Sequence, residues 1–165
     1  MNINEKIINN LTTRIQNVKV RINQLNKYAR IYGSINIILV TILAATTTSL
    51  GYLESISLGI EVTDGTASDR TAFSAIKLTL IVIGTILTTV LTTLNPSKKS
   101  TNCHKCAKDY SGFRMELSNK LDKFNVEYYG NDSETLKKYT DFCNLMNAKE
   151  KDIMEEQTVM VNQIM

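Results

Sequence analysis

The chain has 165 residues, with 19 Lys and Arg, 16 Asp and Glu, one His and a formal charge of +3. It carries no Gly-rich phosphate loop, GxSxG, HExxH or acidic metal cluster, so the sequence speaks against an enzyme and offers nothing for a nucleic acid. A mean hydropathy of −0.11 conceals two uncharged apolar stretches inside very polar flanks.

Residues 1–30 read as an amphipathic helix. Ile8, Leu11, Ile15, Val18, Ile22, Leu25 and Ala29 recur at alternating spacings of three and four, an a/d seam between Lys, Arg, Asn, Gln and Thr. Ile8 through Leu25 are therefore expected to form an oligomerisation seam. No breaker separates this helix from the stretch at residues 31–53, and Gly33 is its weak point.

Residues 31–53 and 71–95 are read as transmembrane helices, with apolar cores from Ile31 to Leu53 and from Leu78 to Leu94. A spanning helix needs about 20 apolar residues. Residues 54–70 are read as an acidic extracytoplasmic loop, with Asp69 or Thr71 capping the second span. Lys77 is expected to snorkel to the interface.

Six bases face one acid in residues 1–30; Lys98, Lys99, Lys105, Lys108 and Arg114 face Asp109 after the second span. Four acids in the loop face Arg70. The positive-inside rule then places both termini in the cytoplasm, in an integral membrane protein. No signal peptide is visible, and the first span is expected to act as an uncleaved anchor.

Thr85, Thr88, Thr89, Thr92 and Thr93 share one face of the second span. Small hydroxyl residues serve as helix contacts or as a pore lining, and Gly84 on nearly the same face favours contact.

Pro96 marks a boundary or kink, because proline suits a first helical turn and breaks an interior. Residues 96–165 then read as an antiparallel helical hairpin. Its first stripe is Cys106, Tyr110, Phe113, Leu117, Leu121, Phe124 and Tyr128. A turn at Gly130, Asn131 and Asp132 leads to Ser133, which opens a last helix. That helix has the seam Leu136, Tyr139, Cys143, Met146, Ile153, Met160 and Ile164, with polar Glu150 and Gln157 at seam positions.

Cys103, His104 and Cys106, with Cys143 on the neighbouring helix, are weighed as a zinc set and set aside, because His104 leaves the face shared by Cys103 and Cys106. No metal or cofactor is expected. The fold class is an all-α membrane protein, a two-span hairpin with long cytoplasmic helices in a coiled-coil-like bundle.

The layout of a basic helix, two close-set spans and trailing helices resembles the SLATT domain family. The exit of the second span carries the likeness in Lys98, Lys99, His104, Ala107, Tyr110 and Leu117 within LTTLNPSKKSTNCHKCAKDYSGFRMEL. The resemblance implies a membrane effector of a nucleotide-signalling defence system, which oligomerises and perforates the bilayer when a separate sensor protein is triggered. The alternative is a structural anchor, for example in a virion or organelle membrane, joining the bilayer to a protein scaffold.

Overall fold

The computed structural model describes residues 3–62, 67–127 and 133–162, and all of these except Asn95 are helical. Helix α1 spans Ile3–Val62, α2 Ala67–Leu94, α3 Pro96–Glu127 and α4 Ser133–Asn162. The turn at residues 130–132 and the side chains of Phe124, Tyr128, Met160 and Ile164 lie outside what is described.

The first helix continues through Gly33, as one glycine costs only about 1 kcal/mol in a helix and apolar neighbours surround it. It continues to Val62, so residues 54–62 are helix and not loop; no proline interrupts them. α2 likewise starts at Ala67, which puts Asp69 and Thr71 inside it rather than at its cap. The acidic loop is thus helical at both ends.

Asn95 makes the next boundary in two ways. Its φ of 39° is left-handed, a conformation Asn tolerates better than most residues. Its N–H still donates to the Leu91 carbonyl at 3.0 Å, closing α2. Its Oδ1 accepts from the Lys98 N–H at 3.2 Å, which caps α3, while Pro96 occupies the first helical position.

The chain divides into two units, Tyr32–Lys98 and Met1–Ile31 with Lys99–Met165. The first is an antiparallel hairpin of α1 and α2, the two helices that are long and apolar enough to cross a membrane. Gly84 faces Thr46, where an added Cβ would lie 3.8 Å from Cγ2. Lys77 pairs with Glu54 at 3.0 Å and so has a protein partner, where snorkelling alone was expected. The half-covered positions include Asn36, Leu39, Leu43, Leu50 and Leu53 around buried Thr46 on α1, and Phe73, Lys77, Leu80, Gly84, Leu87 and Leu91 on α2. Both sets step by threes and fours, the antiparallel coiled-coil pattern. The other faces, including Ile37, Ile38, Leu78 and Ile86, are exposed apolar surface.

The second unit is a three-helix bundle. Lys149 meets Glu116 and Lys105 meets Glu156, so α3 and α4 are antiparallel. Arg14 meets Glu150 and Arg21 meets Gln157, so α1 and α4 are parallel. Ile7, Leu11, Val18 and Leu25 of α1 close on Cys106, Ala107, Tyr110, Phe113 and Leu117 of α3 and on Met146 of α4. Ile15, Ile22, Leu121, Tyr139, Phe142 and Ile153 pack around them.

This core shows what covers the first seam within the chain. Ile8, Leu11, Ile15, Val18, Ile22 and Leu25 were expected to serve as an oligomerisation seam, in a bundle formed within one chain or between chains; Leu11, Ile15, Val18, Ile22 and Leu25 pack with α3 and α4 of the same chain. Burying each such side chain stabilises by about 1.5–3 kcal/mol, and an intramolecular partner is always present. Ile7, not Ile8, occupies the innermost position at the start of the seam, with 4% of its surface exposed.

Candidate functional site

Two features carry the chemistry, one in each unit. In the bundle, Arg14 and Arg21 stand seven residues apart on α1, level with Glu150 and Gln157, also seven apart on α4. Arg14 Nη2 donates to Glu150 Oε2 at 2.6 Å and its guanidinium lies 5.7 Å above the Phe113 ring. Arg21 Nη2 donates to Gln157 Oε1 at 3.3 Å and lies 5.4 Å above the Tyr110 ring. Each arginine therefore ties all three helices, through a polar group on α4 and an aromatic face on α3. The sequence marked Glu150 and Gln157 as polar seam positions but treated the two arginines as topology-setting charge; the shared seven-residue step was the available signal.

Tyr110 is fully buried, and among the described residues its hydroxyl makes no hydrogen bond of good geometry, with the Arg21 guanidinium the nearest candidate donor. An unsatisfied buried hydroxyl costs about 1–3 kcal/mol. Tyr110→Phe should therefore raise the bundle's unfolding free energy by about that amount, read by denaturant titration; a loss of stability would show that the hydroxyl is bonded.

Burial pushes the Cys103 and Cys106 thiols up, with Asp109 adding to the effect at Cys106. Burial also raises the Tyr110 phenol, against the lowering field of Arg21. Tyr139 is raised to about 12 by burial and then by its hydrogen bond to Cys143. A raised value means that the folded state keeps its proton after the unfolded chain has lost it. Stability is then constant below the unfolded thiol value and falls as pH rises beyond it. Thermal melts should stay level to about pH 8.5 and drop above it; rising stability there would contradict these burials.

None of the three cysteines forms a disulfide among the described residues. The α3–α4 register places Cys143 near Lys120, about 20 Å along the helices from Cys106. Among the described residues no three His, Cys, Asp or Glu side chains are grouped to hold a metal.

In the hairpin, Thr85, Thr88, Thr89 and Thr92 are exposed, and each hydroxyl donates to the carbonyl four residues back in its own helix, at 2.8–2.9 Å. They form one lateral face. Gly84 is turned instead toward Thr46, so contact within the hairpin and the threonine face are separate. Back-bonded hydroxyls are satisfied in lipid without a neighbour. The chain matches no protein-family model, and comparison with curated proteins and with solved structures found no match either.

Proposed function

We propose that this chain is a two-span integral membrane protein with both termini in the cytoplasm, and that it acts as a membrane effector whose hairpins associate side by side in the bilayer. The observation that carries this reading is the uncovered lateral face of Thr85, Thr88, Thr89 and Thr92 beside a seam that the hairpin has already filled. Small back-bonded side chains let spans approach closely, which is what assembly in lipid requires. Association therefore moves to the spans, because the seam of α1 is occupied. The likeness of residues 91–117 to the SLATT family points the same way, with a separate sensor protein supplying the trigger.

Purified protein in dye-loaded liposomes tests the proposal. Leakage that rises steeply with protein-to-lipid ratio is expected. Thr85→Leu, Thr88→Leu and Thr92→Leu together should block the close approach of the spans, reduce the assembly and lower leakage severalfold. Liposomes that stay tight at every ratio, with and without partner proteins, would sink the effector reading.

A structural anchor is the second reading. An open groove of about 500 Å³ between α3 and α4 favours it. Phe113, Ile153, Asp109 and Glu116 line this groove, and at Gly112 no atom stands within 4 Å of an added Cβ. A scaffold helix seated there would give tight liposomes and a stable complex.

A further inference from the structure

We infer that a cleft between α1 and α3 binds the phosphate of an organic phosphate monoester, with Lys19 and Arg114 as its cations. The cleft lies wholly within the bundle, so the inference does not rest on the membrane reading. Its volume is about 360 Å³, at the lower end for small-molecule sites. Gln16 and Lys19 of α1 and Ser111, Arg114, Ser118 and Asn119 of α3 make its polar walls. Ser111, Arg114 and Ser118 step by three and four along one face of α3. Helix α1 runs antiparallel beside that face, with Arg14 over Phe113 and Arg21 over Tyr110.

Among the described residues none of these six side chains makes a hydrogen bond or an ion pair. No acid lines the cleft, and α1 has none from Lys6 to Leu53. Asp109 and Glu116 of α3 line the groove on the α4 side instead, where Glu116 holds Lys149. Arg14 and Arg114 are both half-buried, but Arg14 has Glu150 and Arg114 has no counter-charge. An arriving anion offsets the cost of covering such a cation. Two fixed positive charges match a phosphate monoester, which carries close to two negative charges at neutral pH and three acceptor oxygens. A guanidinium grips two of those oxygens at once, and the hydroxyls and amides add donors. An inorganic ion, only a few times the size of a water, leaves most of the cleft empty. Ile15 and the exposed Met115 form the apolar part of the lining, which suits the organic body of an ester.

The test is equilibrium dialysis of phenyl phosphate against the full chain in neutral detergent. Saturable binding is expected, weakening below about pH 6, where the phosphate takes up a proton. Benzoate, with a single charge, should compete roughly tenfold more weakly or worse. Lys19→Gln and Arg114→Gln should each weaken phenyl phosphate by roughly tenfold. Lys19 is exposed, so its variant should melt like the wild type and keep the test readable if Arg114→Gln loosens the bundle. Lys108→Gln and Lys123→Gln remove equal charge elsewhere on the bundle and should leave binding unchanged. Dihexanoyl phosphatidic acid presents the same phosphate on a lipid body. Competition by it that is stronger than unlabelled phenyl phosphate assigns the site to a lipid headgroup, and weaker competition assigns it to a soluble ester. No saturable binding of either ester, benzoate competing as well as phenyl phosphate, or equal losses in the Lys19 and Lys123 variants overturns the site.

Discussion

Leu11→Asp is expected to unfold the three-helix bundle while leaving the apolar hairpin helical. Leu11 is 1% exposed and lies in the core shared by α1, α3 and α4. Removing a buried leucine costs about 2–5 kcal/mol even for alanine, and an unpaired carboxylate adds several kcal/mol more. The sum rivals the whole stability of a small domain, about 5–15 kcal/mol. The bundle and the hairpin pack as separate units, so the damage should stay local. In detergent, circular dichroism should lose the bundle's melting transition while part of the helical signal persists, and trypsin should cut at Lys108 and Arg114. A wild-type melt would show that the core is not where the structure places it.

Glu150→Lys should be the next most damaging change. The Arg14–Glu150 pair is the most enclosed ion pair among the described residues, with side chains 19% and 29% exposed. Losing a charge-assisted bond costs about 1.5–3 kcal/mol, and a lysine beside Arg14 adds repulsion. The paired exchange Arg14→Glu with Glu150→Arg should recover most of this. About 0.5–1 kcal/mol should stay lost, since the guanidinium no longer lies over Phe113. Chemical denaturation of all three variants gives the coupling directly. Additive losses in the exchange would mean that the two residues do not interact.

Helix existence was readable because Pro96 punctuates a chain with almost no other breakers, and because apolar periodicity is strong in α3 and α4. The partner of the first seam was not readable. A heptad stripe states that a helix must cover it, but not whether that helix belongs to the same chain. The ends of the acidic segment were misread because Gly59, Ser57 and the acids suggest a loop, whereas nothing between Glu54 and Val62 actually breaks a helix. The heptad also continues beyond Ala29 through Asn36, Leu39, Leu43, Thr46, Leu50 and Leu53. Uniform apolarity hid it in the span, since a seam shows in sequence only against polar neighbours. The threonine face was visible as a pattern, but only coordinates showed that each hydroxyl bonds its own backbone and that Gly84 looks elsewhere.

The parallel pairing of α1 with α4 imposes an order on biosynthesis. Arg14 and Glu150 are 136 residues apart, so the ribosome completes the α1 seam long before its cover exists. Until then Leu11, Val18 and Leu25 are naked apolar surface on a nascent chain, a hazard for aggregation. The antiparallel hairpin shortens the problem. Once Thr46 meets Gly84 and Glu54 meets Lys77, the ends at Tyr32 and Lys98 return side by side. The closure entropy left to α3 is then that of a short connection rather than of about 70 free residues. Helix α4 arrives last, with Met146 as its fully buried core side chain among the described residues and its charges to fix the register. A chain halted before Ser133 would therefore have its α1–α2 hairpin zipped and its bundle open along one side.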